Sequence, residues 1–186
     1  MGLDNMPHEY PCKRQGTAVI DKKTHTWEDE DGVTQSEDSY PIDCDKTIEA
    51  GGCPFTNANP PEKGRVMGMF GTHCWYRGKH GNWLINALAS SDNANINDID
   101  SYGTDDDDSF YGTENDGMYR PPQACKDLAD DMEASLNARG GRLVFTERTN
   151  YKDGKPVEHD ETDDVLYAIW YLRWVAKECD GMNAWY

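Results

Sequence analysis

The sequence predicts an α+β fold in a single compact domain over residues 1–186, with a loop-rich N-terminal half and a buried C-terminal helix. Two segments have helical periodicity and others alternate as strands do, without a regular βα order. Large aliphatic residues are scarce, as in disordered chains, but six Trp and ten Tyr supply rings that bury much area. We therefore expect a folded domain with a small, aromatic core.

The N-terminal half, residues 1–91, is rich in Pro, Gly and Asp and poor in helical patterns. Residues 17–21 and 24–27 are expected to form a hairpin or short edge strands, and residues 66–70 a short buried strand. Asn82 is suited to begin a helix over 83–89, because its side chain accepts hydrogen bonds from the first backbone N–H groups. Beyond this half, residues 92–120 are acidic and are expected to form a long loop.

The C-terminal half begins with a predicted helix over about 124–138, which ends at the pair Gly140–Gly141. Its apolar residues recur every four positions: Leu128, Met132 and Leu136. Residues 142–149 then alternate as a strand does, and Asp153-Gly154 is typical of a turn.

The last predicted helix is the clearest element. Thr162 is suited to its start, Asp163 and Asp164 to the positive end of its dipole, and Lys177 to the other end. Between them, the sequence VLYAIWYLRWV is apolar on nearly every side, which predicts a central, buried helix.

The net charge of −17 excludes several function classes. A chain this acidic is repelled by nucleic acid and by anionic lipid, so direct nucleic-acid binding is not expected. The acid excess is interpreted in three ways: adaptation to molar salt, imitation of DNA phosphates, or binding of divalent cations. Abundant Asp, few Lys and few large aliphatic residues favour the high-salt interpretation.

No apolar run reaches the roughly 20 residues of a membrane span. The N-terminal sequence MGLDNMPHEY also lacks the basic start and apolar stretch of a secretion signal. We expect a soluble protein of a high-salt cytoplasm or of a virion.

A basic segment interrupts the acidic chain. Residues 63–91 contain no Asp or Glu, and within them residues 63–82 form the predicted contact surface, here called the basic segment. The residues expected to bind there are Arg65, Trp75, Tyr76, Arg77, Lys79 and His80. The phosphate-loop pattern fails in its spacing and in its last residue. Two interpretations remain: a site for a partner or anion, and an internal electrostatic partner of the acidic half.

Zinc is the predicted cofactor. Cys44, Cys53, His73 and Cys74 offer the sulfur and nitrogen ligands of a tetrahedral site, which would stabilise a loop-rich half. The spacing matches no standard finger, and ordinary buried thiols are the competing interpretation. Calcium is less favoured. The acidic run Asp105–Asp108 supplies oxygen ligands, but the twelve-residue calcium-loop pattern is not met, and a solvated surface explains the run.

Cys74-Trp75 resembles the nucleophile segment of papain-like hydrolases. That resemblance implies a Cys74 thiolate activated by His159 or His80. His73 before the cysteine and Arg77-Gly78 after it depart from the pattern. The hydrolase is therefore an alternative to a non-enzymatic protein.

The segment GTHCWYRGKHGNW is similar to parts of small uncharacterised proteins from halophilic archaea and their viruses. The similarity spans about residues 53–88 and implies life in high salt, without an activity. The leading hypothesis is a non-enzymatic, acidic binding protein that contacts another protein through the basic segment. A Cys74-dependent hydrolase and an inhibitor that imitates nucleic acid are the alternatives.

Overall fold

The computed structural model describes residues 4–64, 74–77, 118–152 and 155–185. Helices and strands follow one another without regular alternation, so the predicted α+β class is confirmed. In chain order the described elements are β1 (Asp4–Pro7), α1 (Pro11–Arg14), β2 (Lys23–Glu28), β3 (Thr34–Ser39), α2 (Cys44–Glu49), α3 (Pro54–Asn57), β4 (Tyr76–Arg77), β5 (Met118–Arg120), α4 (Pro122–Ala138), β6 (Val144–Lys152), β7 (Lys155–Asp160), α5 (Thr162–Glu178) and β8 (Met182–Trp185).

The chain divides into two compact units. The larger unit comprises Met1–Glu9 and Pro60–Tyr186, and the smaller unit comprises Tyr10–Asn59. The sequence predicts a single domain over residues 1–186, and this remains a prediction because the division into compact units does not test it. The strand predicted at 66–70, the helix predicted at 83–89 and most of the acidic loop at 92–120 lie outside the described residues. Within the described residues, no helix is long and apolar enough to cross a bilayer.

An antiparallel sheet with strand order β4-β1-β8-β5 lies in the larger unit. Its central strands come from opposite ends of the chain: Asn5 of β1 pairs with Ala184 of β8, and Pro7 pairs with Met182. None of β1, β5 and β8 was predicted, because strands this short carry no clear alternation. The core of the unit therefore depends on pairing between distant segments.

Helix α5 is the centre of the larger unit, as predicted. Its buried side chains are Val165, Tyr167, Ala168, Ile169, Tyr171, Leu172, Trp174, Val175 and Ala176. The exposed positions Asp163, Leu166, Arg173 and Lys177 follow the helical repeat on one narrow stripe. From this stripe the side chain of Arg173 contacts helix α4. Its guanidinium donates hydrogen bonds to the carboxylates of Asp130 at 2.7 Å and Glu133 at 2.8 Å.

Helix α4 packs on α5 through a face that differs slightly from the predicted one. Its buried residues are Cys125, Ala129, Met132 and Leu136, whereas Leu128 is half-buried. The spacing of four, three and four residues keeps these positions on one side of the helix. Cys125 and Ala129 on this side are completely buried.

Strands β6 and β7 form a separate two-stranded ribbon. Strand β6 confirms the strand predicted at 142–149 with shifted ends, and β7 was not predicted as a strand. The ribbon is tied to the start of α5 by Asp160. Its carboxylate accepts hydrogen bonds from the Arg142 guanidinium at 2.6 Å and from the Thr162 backbone N–H at 3.1 Å.

Replacing Asp160 by Asn is expected to reduce the acid sensitivity of folding. Hydrogen bonds from Thr162 and Arg142 lower the pKa of Asp160 from 3.8 to about 2 in the folded protein. A lowered folded-state pKa stabilises the fold above the unfolded-state pKa, and this stabilisation is lost as pH falls toward 2. Urea unfolding at pH 7, 4 and 2 should show that D160N is less stable than wild type at pH 7 and that most of this difference is lost at pH 2.

The control is Asp131→Asn, which removes an exposed carboxylate on α4. It should leave the pH dependence of unfolding close to that of wild type. A D160N profile parallel to the wild-type profile at all three pH values would contradict the role assigned to Asp160.

The smaller unit has few buried side chains: Pro11, Cys12, Thr47 and Phe55. Polar contacts connect its segments instead. The Thr47 hydroxyl donates to the Asp43 carbonyl at 2.7 Å and accepts from the Val19 backbone N–H at 3.0 Å. The Thr17 hydroxyl donates to the Gly52 carbonyl at 2.7 Å. The unit is therefore held together by hydrogen bonds more than by an apolar core.

Strand β2 pairs with β3, not with residues 17–21. The turn between them begins at Asp29, whose carboxylate accepts the backbone N–H groups of Asp31 and Val33, and it ends at Gly32 with φ +74°. An Asp-Gly turn of this kind sets the strand register locally. Residues 17–21 contribute only the isolated bridge Ile20–Ile42. The strand expected at 24–27 is thus confirmed, whereas 17–21 as its hairpin partner was wrong.

Candidate functional site

The described part of the basic segment ends in strand β4 at the edge of the four-stranded sheet. Strand β4 pairs with β1, with Tyr76 opposite Asn5 and Arg77 opposite Asp4. Within the described residues, no strand lies on the other side of β4. An edge strand presents a row of backbone donors and acceptors that another chain can use.

Tyr171 on α5 anchors the entry to β4. Its hydroxyl lies 3.0 Å from the Cys74 carbonyl oxygen and 3.2 Å from the Asn5 carbonyl oxygen, so one O–H is shared between two acceptors. The side chain of Tyr171 is buried, and Asn5 is buried beside it. The hydroxyl therefore joins β1, the chain before β4 and α5 at one point.

Gly64 anchors the basic segment near the start of α5. Gly64 has φ +75°, and a Cβ there would collide with the Asp163 backbone carbonyl. Beside it, the Lys63 amine is 3.8 Å from the Asp163 carboxylate, and both side chains are exposed. Asp163 and Tyr171 are eight positions apart on one helix, about 12 Å along its axis. Residues 64 and 74 are thus both fixed to α5.

Of the residues predicted to bind, the structure describes three. Trp75 is half-buried, and Tyr76 and Arg77 form β4. Arg65, Lys79 and His80 lie outside the described residues. The binding surface as a whole therefore stays a prediction, and its described portion is the sheet edge.

The two residues of the alternative hydrolase belong to different elements: Cys74 precedes β4, and His159 lies in β7. Cys74 is buried next to β4, whereas His159 is exposed in β7, opposite Phe145 of β6. Reactive thiols are usually partly accessible, so the burial of Cys74 does not favour its use as a nucleophile. The second candidate base, His80, lies outside the described residues.

The predicted zinc ligands are distributed over both units. Cys44 begins α2 and Cys53 precedes α3 in the smaller unit, and Cys74 belongs to the larger unit. His73 lies outside the described residues. Within the described residues, no cluster of three or more His, Cys, Asp or Glu side chains has an arrangement that could hold a metal ion. Zinc stays a prediction, as does calcium at 105–108, which is not described.

The remaining cysteines pack in the interior. Cys125 and Cys179 are completely buried, and Cys12 is nearly so. Burial raises the pKa of the Cys125 thiol to about 11, and it also raises the pKa of Cys12. These thiols are therefore protonated at neutral pH and behave as small apolar side chains.

Comparison with family models, with curated proteins and with solved structures gave no match. The similarity to proteins of halophilic archaea and their viruses therefore stays an expectation from the sequence.

Sequence reasoning missed the residues that position β4. The apolar run places Tyr171 in the buried helix, but it does not show that the Tyr171 hydroxyl reaches two carbonyl groups. Asn5 was part of a segment without a predicted element. The signal that existed was Gly64 at the start of the acid-free segment, since a glycine there permits positive φ and a close backbone approach.

Proposed function

We propose that this protein is a non-enzymatic binding protein adapted to high salt, and that it contacts an acidic protein partner through the basic segment. The partner adds an extended strand to β4 while Arg77 and the neighbouring basic residues pair with its acidic side chains. The observation that carries the proposal is the position of Arg77 on an edge strand, inside the one long stretch of sequence without acidic residues.

The edge is suited to the addition of a strand because contacts within the protein already fix the position of β4. Tyr171 and the pairing with β1 fix the backbone of residues 74–77 before a partner arrives. A fixed edge loses less conformational entropy on binding than a mobile one. Main-chain hydrogen bonds then provide affinity, and side-chain charge provides selection of the partner.

Charge supports an acidic partner instead of a nucleic acid. The chain carries 35 acidic against 18 basic residues, which repels a polyanion from most of its surface. A short acidic strand can approach the basic segment alone, where the local charge has the opposite sign. Salt reduces long-range repulsion by the acidic surface, since the Debye length is about 3 Å at 1 M.

Binding is tested with a short fluorescein-labelled peptide of alternating Asp and Thr, measured by anisotropy in 0.15 M and 1 M KCl. We expect wild-type protein to bind it at both concentrations, because backbone pairing is not screened. The variant Arg77→Glu with Lys79→Glu should bind at least about tenfold more weakly, a loss of about 1.4 kcal/mol.

The matched control is Lys126→Glu with Lys155→Glu, which makes the same change in charge at two exposed sites. Its affinity for the acidic peptide should stay within about twofold of wild type after allowance for the added repulsion. Equal losses in the two variants would contradict a specific role for the basic segment. Binding of a Lys-rich peptide, with none of the acidic one, would instead favour imitation of nucleic acid.

A further inference from the structure

The hairpin of β2 and β3 is unusual because its strands bury almost nothing. All six residues of β2 are exposed, and five of the six residues of β3 are exposed. Trp27 at its centre is 48% exposed. An isolated two-stranded hairpin is marginally stable in water, and further strands stabilise it. Within the described residues, no strand lies beside either edge of this hairpin.

The register identifies the backbone groups that face outward from β2. Asp21 and Asp29 donate their N–H groups to Pro41 and Val33 of the opposite segment at 2.9 and 3.0 Å. Hydrogen bonding alternates along an antiparallel pair, so the odd residues of β2 bond to β3 and the even residues face outward. The outer edge of β2 therefore presents the N–H and C=O groups of Thr24, Thr26 and Glu28.

Strand β2 also has opposite charges at its two ends. Lys22 and Lys23 are at its start, and Glu28 to Asp31 follow at its end. When such a strand pairs antiparallel with a copy of itself, the basic end of each copy lies beside the acidic end of the other. Strand β3 has Glu37 and Asp38 but no Lys or Arg, so self-pairing along its edge brings no opposite charges together.

We propose that this protein forms a homodimer in which the β2 edges of two copies pair antiparallel and join the hairpins into a four-stranded sheet. The twofold axis passes between Thr26 and Thr26 of the second copy. Thr24 then pairs with Glu28 of the second copy, which uses the outward-facing backbone groups on both sides. The occupant of the edge is a second copy because the edge is complementary in charge to itself.

This register also makes favourable side-chain pairs. Lys23 lies opposite Asp29 of the second copy, while Lys22 keeps its ion pair with Asp38 of its own hairpin at 2.6 Å. Because the outward-facing even residues must pair with one another, a twofold-symmetric register can place Lys23 opposite Asp29 but not opposite Glu28. Hydrogen bonds from Gln35, Val33 and Asp31 lower the pKa of Asp29, so its carboxylate stays charged. His25 lies opposite Trp27 of the second copy, in a close non-hydrogen-bonded pair that covers part of the exposed ring.

Dimerisation is tested by sedimentation velocity of the full chain in 0.15 M KCl, over protein concentrations up to about 1 mM. An interface this small is expected to be weak, with a Kd on the order of 0.1 mM. At this salt the Debye length is about 8 Å, so repulsion between the two acidic bodies is largely screened.

The variant Thr26→Pro removes an outward N–H group from β2 and should weaken dimerisation at least about tenfold. Ser36→Pro is the matched control, because Ser36 is the cross-strand partner of Thr26 and its N–H faces the opposite edge. It should leave the Kd unchanged. Far-ultraviolet circular dichroism reports whether either variant loses the hairpin.

Lys23→Glu tests the same interface, leaves the Lys22–Asp38 ion pair of the hairpin intact and should weaken the dimer at least about tenfold, whereas Lys126→Glu should leave the Kd unchanged. A chain that is monomeric at every concentration would overturn the proposal. So would a dimer that T26P and S36P weaken equally, or one that is insensitive to reversal of the charge of Lys23.

Discussion

Gly181→Ala is expected to destabilise the protein by about 3–5 kcal/mol. Gly181 connects α5 to β8 with φ +89°, a conformation that costs an L residue energy. A Cβ at this position would collide with the backbone carbonyl oxygen of Arg120, which precedes α4. Relief of the collision requires backbone movement, because no flexible side chain can yield.

The position of Gly181 explains why such movement is costly. Its N–H donates to the Val175 carbonyl at 3.1 Å, and its own carbonyl accepts from the His8 N–H at 3.1 Å. A shift of this turn therefore disturbs the end of α5 and the pairing of β8 with β1 together. The free energy of unfolding, measured in urea by circular dichroism, reports the loss.

Gly140→Ala is the control for Gly181→Ala, because it measures the cost of positive φ in the absence of a steric collision. Gly140 has φ +76°, but a Cβ there has no atom within 4 Å. The control should lose only about 1–2 kcal/mol, the cost of a left-handed L residue. If the two variants were destabilised equally, the close approach of Gly181 to Arg120 would have no energetic consequence.

Tyr171→Phe is expected to cost about 1–3 kcal/mol, because it removes one buried hydroxyl that two carbonyl groups share. The ring and its packing against Tyr167 and Trp174 are retained, so the loss comes from the hydrogen bonds that the hydroxyl makes to the carbonyl groups of Asn5 and Cys74. Because the Tyr171 hydroxyl bridges these two carbonyl groups and so helps to hold β4 against β1, the variant should also weaken binding of the acidic peptide. Urea unfolding and peptide anisotropy measure the two effects separately.

Tyr119→Phe is the control for loss of a tyrosine hydroxyl. Tyr119 donates to the Asp180 carbonyl at 3.1 Å, but its side chain is exposed, so water replaces the lost partner. We expect a change within about 0.5 kcal/mol and unaltered peptide binding. A Tyr171→Phe protein as stable as this control would show that the shared hydroxyl does not anchor β4.

Predictions from the sequence succeeded where the deciding interactions are local. An apolar run bounded by Asp163 and Lys177 predicts helix α5. Periodic apolar residues followed by Gly140 predict helix α4. The strand at 24–27 was also predicted, but its partner was not. The turn from Asp29 to Gly32 brings β3 beside β2, and no element was predicted from the sequence for this turn or for β3.

The candidate site was predictable only as a charge pattern. The absence of acidic residues from 63 to 91 is visible in the sequence, and it predicts that Trp75, Tyr76 and Arg77 contact a partner. Their position at a sheet edge depends on β1, which is paired on its other side by β8 from the far end of the chain. Side-chain spacing in a two-residue strand cannot encode such a partner.

The sequence by itself determined the fold class, the buried helix and the separation of one basic segment from an acidic chain, because helical periodicity and charge are properties of neighbouring residues. The tertiary structure decided which strands lie at edges, which tyrosine hydroxyl holds them and which glycines touch distant backbone. Those features depend on contacts between residues far apart in the chain, and the free energy of such contacts appears only once the chain has folded.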